Sequence, residues 1–312
     1  MALILNKGVP MKILVTGAAG MLASEIIPRL IEDNHQLLQV DLNQRLPDIK
    51  KLDVADTKSV FSYVEHYRPE YIFHLAAETN VDLCEKNHDH ALRANYLGTE
   101  NLVYACQRYN IKLLYISTAG VFWGDKKEPY TEFDQPNPRN FYGQSKLQGE
   151  YVVQKLLNKY FIIRAGWMVG GWEIDKKFVY KIIQQIQQGK RQLRVVSDKF
   201  GSPTFTKDFA SNVMKVINTN RYGIYHMTNQ GTCSRYEIAL KIVEYLDMKN
   251  HVEIIPINSS EFPLPAPRAD SEMLRNYKLD LLGINDLPHW EESLKDYINT
   301  NQHKIEAISS LA

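Results

Sequence analysis

Apolar and polar positions follow two alternating periods along this chain. Short apolar runs at Ile13-Leu-Val-Thr16, Leu37-Leu-Gln-Val40, Lys51-Leu-Asp-Val54, Tyr71-Ile-Phe-His-Leu-Ala-Ala77 and Lys112-Leu-Leu-Tyr-Ile-Ser-Thr118 read as strands. Between them, residues 23–32, 57–66 and 89–109 carry the 3.6 spacing of helices packed on one face. Strand and helix in alternation predict an α/β fold of Rossmann type: a doubly wound parallel sheet, with a smaller C-terminal substrate domain. Past residue 160 the pattern predicts a helix over 178–188, a strand over 192–196, a helix over 206–219, a strand over 223–227 and a serine-capped helix over 234–246. The expected division is an NAD(P)-binding domain at 11–165 with a returning segment near 204–230. The substrate-binding domain takes 166–203 and 231–300, and tails take 1–10 and 301–312, the second of them frayed.

Composition narrows the class without naming a chemistry. The 312 residues are 44% hydrophobic and 23% charged, enough for a sizeable core. Lys+Arg 37 against Asp+Glu 36 leaves no basic excess, which argues against nucleic acid as a partner. The three cysteines, Cys84, Cys106 and Cys233, are odd in number and scattered. That disfavours disulfides and a structural metal and fits a reducing cytoplasm. No apolar run approaches the ~20 residues that span a bilayer. The leader Met1-Ala-Leu-Ile-Leu-Asn-Lys-Gly-Val-Pro10 has too short an apolar core for a signal peptide, and Met11 is a candidate original start.

Chemistry enters at three places. The first strand runs into Gly17-Ala-Ala-Gly20-Met-Leu-Ala23 and a helix, so the backbone can turn tightly against a pyrophosphate at a helix N-terminus. Asp41 ends the second strand twenty-one positions after Gly20, where an acid accepts from an adenosine ribose and repels a 2′-phosphate. NAD(H) is therefore favoured over NADP(H), and Arg45 nearby weakens the preference. Asp53 is placed to reach an adenine amino group or to stand in solvent. The fifth strand delivers Ser117 and Thr118 at its carboxyl end, where open α/β sheets bind ligands, and Thr118 is the stronger candidate for a substrate oxygen. Tyr142 and Lys146 stand one helical turn apart and face the same way. A cation beside a phenol favours phenolate and brings proton transfer toward neutral pH, which suits reduction of a carbonyl. Asn95, polar in an apolar helix, is expected to hydrogen-bond a neighbouring loop backbone.

Taken together, Thr16-Gly-Ala-Ala-Gly20, His74-Leu-Ala-Ala77, Ser117-Thr118, Tyr142-Gly-Gln-Ser-Lys146 and Gly149-Glu150 resemble the extended short-chain dehydrogenase/reductase superfamily. Ile163-Arg-Ala-Gly-Trp167, Asp198-Lys-Phe-Gly-Ser-Pro-Thr204 and the run Pro267-Arg268 through Ser271-Glu-Met-Leu274 to Lys278-Leu279 resemble dTDP-4-dehydrorhamnose reductases in particular. The resemblance covers about residues 11 to 300. It implies an NAD(P)H-dependent reductase of a nucleotide-linked 4-keto-6-deoxysugar, with Tyr142 as proton donor, Lys146 as its modulator and nicotinamide-ribose ligand, and Thr118 on the carbonyl. The cofactor is expected against Gly17, Ala19, Gly20, Met21, Leu22, Asp41, Asp53, Val54, Leu75, Ala76, Ala77, Thr79, Tyr142 and Lys146. The substrate is expected against Val81, Trp167 and Arg268, Arg268 as a diphosphate clamp or a surface charge, and Trp167 as a stacking platform or a half-buried core residue. Two departures bear on function. Ala119-Gly120 replaces the Asp-Tyr that follows the threonine in such reductases, and cannot supply the acid and base of the related 4,6-dehydratases. Gly170-Gly-Trp-Glu also differs from the commoner Tyr-Gly form. A nucleotide-sugar epimerase with tightly held NAD and a non-catalytic cofactor-binding regulatory subunit are the alternatives. The superfamily's usual pairing surface implies a homodimer through the helices near 89–109 and 143–158.

Overall fold

A computed structural model of the chain describes residues 10–175 and 177–309. The leader that precedes them, with the reading made of it, lies outside the described residues. Strands β1 (Lys12–Thr16), β2 (Gln36–Asp41), β3 (Lys50–Lys51), β4 (Tyr71–His74), β5 (Lys112–Thr118) and β6 (Tyr160–Ala165) join the later strand Gly223–His226 in one seven-stranded sheet. Its order is Gly223–His226, β6, β5, β4, β1, β2, β3, and every pairing is parallel. The order reverses between β1 and β4, so the crevice beyond their carboxyl ends is where such a sheet receives a ligand.

Both faces are covered, and the side chains of β1 show how. Ile13 and Val15 pack with Ile26, Ile27 and Leu30 of helix α1 (Ala23–Glu32) and with Phe209 and Val213 of the helix Thr206–Asn218. Leu14, pointing the other way, packs with Val60 and Val64 of α2 (Thr57–Tyr67) and with Leu102 and Val103. The chain then builds a third apolar cluster from Ile182, Ile183 and Ile186 of the helix Phe178–Gln187 and Ile238, Ile242 and Val243 of the helix Arg235–Tyr245. The latter is fixed by a capping box between Ser234 and Glu237.

Four expectations are corrected. The third strand is only Lys50–Lys51, because Asp53 turns back to accept from Ala55 N at 2.9 Å. The fourth ends at His74, so Leu75, Ala76 and Ala77 form the loop beyond it. The long helix is interrupted: short α3 (Val81–Lys86) and α4 (His88–Ala91) lead into a π-helical turn, Leu92–Leu97, before α5 (Gly98–Tyr109). Most of the stretch expected to fray is instead the helix Gln302–Ser309, anchored by buried Ile305 in the third cluster. Among the described residues no helix is long and apolar enough to cross a membrane.

Candidate active site

The turn after β1 is held by close backbone approach. Gly17 has φ +71°, and a Cβ there would lie 2.6 Å from the backbone nitrogen of Ala76, so only glycine fits between the first and fourth strand ends. Helix α1 then begins without a side-chain cap, leaving its positive end open to an anion. Met21 closes one side, touching Gly171, and Leu22 packs into the core. Asp41 braces the turn from β2: Oδ2 accepts from Ala19 N at 3.0 Å and Oδ1 from Asn43 N at 2.8 Å. Each oxygen keeps a second lone pair for a ribose hydroxyl. These features fit a dinucleotide. Val54 is buried beneath the turn region, while Asp53 carries an ion pair with Arg93 at 2.7 Å. That carboxylate is thus not bare, and Arg45 lies exposed on its loop.

Helix α6 (Phe141–Leu156) is aimed by its first residues. Asn140 caps it, accepting from Gly143 N at 2.9 Å and donating to Pro267 O at 3.0 Å. Gly143 lets the helix touch the turn Ala119–Val121, since a Cβ there would meet Gly120 O at 2.0 Å. Tyr142 therefore arrives beside Thr118, whose hydroxyl is near enough to favour the phenolate. Thr118 Oγ1 also accepts from Gly120 N at 3.0 Å. Ser117, the weaker candidate, faces the core: its hydroxyl donates to Glu150 Oε1 at 2.5 Å, and Glu150 is paired with Arg164 at 2.6 Å, all buried. Asn95 takes the structural role expected of it. Oδ1 accepts from Glu78 N at 2.9 Å, and Nδ2 donates to Glu78 O at 3.1 Å and to Ser145 Oγ at 3.0 Å, tying the loop that carries Ala77 and Thr79 to the catalytic helix.

Burial is the largest influence on both members of the Tyr142 and Lys146 pair. Burial pushes the Tyr142 phenol above its ordinary pKa; the Thr118 hydroxyl opposes this, while Cys84, Glu272 and Glu78 add to it. Burial brings Lys146 down to about 7 against the pull of Glu150, and its Nζ sits 4.1 Å from the centroid of the Tyr115 ring. The ammonium is thus itself strained by desolvation. Beneath them His74 is neutral: burial lowers its pKa to about 3, and its ring nitrogens meet Thr16 Oγ1 at 2.9 Å and Thr99 Oγ1 at 3.0 Å.

The opposite wall comes from distant segments. Trp167 is half-buried, donates Nε1–H to Glu272 Oε2 at 2.6 Å, and is overlaid by Arg235 at 4.0 Å. Arg268 is neither a free clamp nor a bare surface charge. Nη2 pairs with Asp82 Oδ1 at 2.9 Å and Nη1 donates to Ala266 O at 2.8 Å, strapping the 263–268 loop to α3, whose first residue is half-buried Val81. Glu272 escaped the sequence reading. It is one acid inside a resemblance motif, and no local spacing marks its approach to Thr118.

A parallel doubly wound sheet with a glycine turn at its switch point and Thr118, Tyr142 and Lys146 beyond the carboxyl end of β5 defines an NAD(P)-dependent oxidoreductase of the extended short-chain dehydrogenase/reductase type. The family described as RmlD substrate binding domain matches residues 11–303. The chain is 34% identical to the spore coat polysaccharide biosynthesis protein SpsK of Bacillus subtilis, over 92% of this chain and 96% of that one. A dTDP-4-dehydrorhamnose reductase from Clostridium acetobutylicum superposes with a TM-score of 0.87 at 38% identity, covering 94% of this chain and 100% of the other. The dTDP-4-dehydrorhamnose reductase of Bacillus anthracis, solved in complex with NADP, gives 0.86 at 36% identity, with 94% and 100% covered. The chain belongs to the RmlD substrate-binding family.

Proposed function

We propose that this chain reduces the keto group of a nucleotide-linked 4-keto-6-deoxysugar, with NADH preferred. The observation that carries the reading is the placement of Tyr142 beside Thr118 at the carboxyl end of β5, with Lys146 one turn further along α6. A bound nicotinamide supplies the hydride. Tyr142 gives its proton to the keto oxygen as charge develops there, and Thr118 donates a second hydrogen bond to the same oxygen. Lys146 holds the nicotinamide ribose and, once hydrogen-bonded there, keeps a positive field behind the phenol. Asp41 takes the adenosine ribose, and Gly17, Ala19, Gly20, Met21 and Leu22 surround the pyrophosphate. Leu75, Ala76, Ala77 and Thr79 line the path between. Val81 and Trp167 flank the sugar nucleotide, and Arg268 keeps the 263–268 loop closed over it.

Similarity to solved dTDP-4-dehydrorhamnose reductases at 36–38% identity over most of the chain supports the substrate class. The test is incubation with NADH and a panel of nucleotide 4-keto-6-deoxysugars, following nicotinamide absorbance. Loss of absorbance with at least one sugar is expected, and no loss with any of them would end the reading. We also infer a homodimer through α5 and α6, which leave Tyr104 and Tyr151 exposed at 45% and 49%. A monomeric mass in solution contradicts that pairing.

A further inference from the structure

Glu272 reaches the mouth of the site from near the end of the chain. It lies in the two-residue strand Ser271–Glu272, which runs parallel to Phe200–Gly201. Its Oε2 is taken by the Trp167 indole N–H at 2.6 Å, so the carboxylate is held by its outer oxygen while Arg235 covers the indole face at 4.0 Å. The other oxygen, Oε1, faces the catalytic turn. A Cβ built on Gly120 would lie 3.4 Å from Thr118 Oγ1 and 3.7 Å from Glu272 Oε1, so both oxygens border one point that glycine leaves without a side chain. The charge is also felt by Tyr142.

An ionised carboxylate only accepts hydrogen bonds, so the group that meets Oε1 has to be a donor. The keto oxygen held by Thr118 and Tyr142 has the neighbouring ring substituent about one hydrogen-bond length away, which is the reach of Oε1 across the gap above Gly120. We propose that Glu272 is a specificity-determining residue whose Oε1 accepts a hydrogen bond from a hydroxyl on the sugar carbon next to the keto group. The inference rests on the reductase reading and adds to it the substituent that this chain selects. A substrate lacking that hydroxyl leaves Oε1 of this half-buried carboxylate without the donor, the way a polar site rejects an analogue.

The test compares two nucleotide 4-keto-6-deoxysugars that differ only in the hydroxyl beside the keto carbon, using wild type, Glu272→Gln and Glu272→Ala. Wild type should favour the hydroxylated sugar in kcat/KM by about 10- to 100-fold, the scale of one hydrogen bond to a charged acceptor. Glu272→Ala should erase the preference by losing rate on that sugar alone. Glu272→Gln keeps the size and an acceptor for Trp167, and should lose most of the preference with indole fluorescence unchanged. It should also move the alkaline limb of the rate profile to lower pH, because a negative charge beside the proton donor is gone. Equal losses on both sugars in the Gln variant, or an undiminished preference, overturn the proposal while leaving the reductase reading intact. Wild-type turnover of neither sugar removes that reading and this inference together.

Discussion

The two halves of the site are built differently. The cofactor half is assembled from neighbours in sequence: a strand, a glycine turn and a helix within about two dozen residues, braced by one acid from the next strand. The substrate half is assembled from strangers, with Trp167, Arg235, Arg268 and Glu272 meeting α3 and the catalytic turn through contacts of up to 186 positions in sequence. Local geometry can fix the first whatever the rest of the chain does. The second exists only once segments far apart in the chain have come together.

Substitutions at the seam between the halves should have the largest effect. Tyr142→Phe removes the transferable proton and one hydrogen bond without touching either binding half, so kcat should fall by ~10²–10⁴-fold with NADH affinity nearly intact. Steady-state kinetics with a fluorescence titration of NADH checks it. If NADH binding falls with the rate, Tyr142 belongs to the cofactor half.

Next comes a substitution confined to the substrate half. Arg268→Ala removes the ion-pair partner of Asp82 and leaves the 263–268 loop tied to α3 by the Ala266 N–H to Asp82 Oδ1 at 3.1 Å. Nucleotide-sugar binding should weaken by about 1.5–3 kcal/mol with no change in NADH affinity. Calorimetry of both ligands decides this, and an unchanged sugar-nucleotide Kd returns the strap to a surface role.

On the proposed function Lys146 serves both halves, so Lys146→Met should lose rate and NADH affinity together. The same variant isolates a cost of building the site. With a folded pKa lowered to about 7 from an ordinary 10.5, the buried ammonium costs most below pH 7, and the cost fades as pH rises toward 10.5. Wild type should therefore gain on the order of 2 kcal/mol over Lys146→Met between pH 7 and 9. Urea unfolding at the two pH values reads the difference, and parallel curves would show that the ammonium is not desolvated. The smallest effect belongs to the cofactor half. Asp41→Ala should cut the preference for NADH over NADPH by about tenfold, the scale of one hydrogen bond to a charged group. Equal discrimination in variant and wild type would show that Asp41 serves only the Ala19 and Asn43 backbone.

What was legible follows the same division. The β1 turn and the alternation of strand and helix were readable because each is a pattern within one or two elements, and such spacing also singled out Thr118, Tyr142 and Lys146 as candidates. Asn95 was readable as a buried amide in need of partners, and its bonds to Glu78 and Ser145 are those partners. The π-helical turn that aims it was not, since one extra residue per turn leaves the apolar pattern nearly unchanged. Nor was the desolvation of Lys146, which depends on Tyr115 and Glu150 closing around it. Arg268 and Glu272 were the least legible. Their partners, Asp82 and Trp167, lie more than 100 positions away, and no local period connects them.

The central claim is that hydride passes once from cofactor to the keto carbon of a sugar nucleotide. It is tested most directly with NADH deuterated at the transferable position and a nucleotide 4-keto-6-deoxysugar that supports turnover. The account predicts one deuterium at the former keto carbon of the product and one NAD⁺ formed per product. Product epimerised without deuterium and without net oxidation of NADH, or NADH bound and returned unchanged, would contradict it.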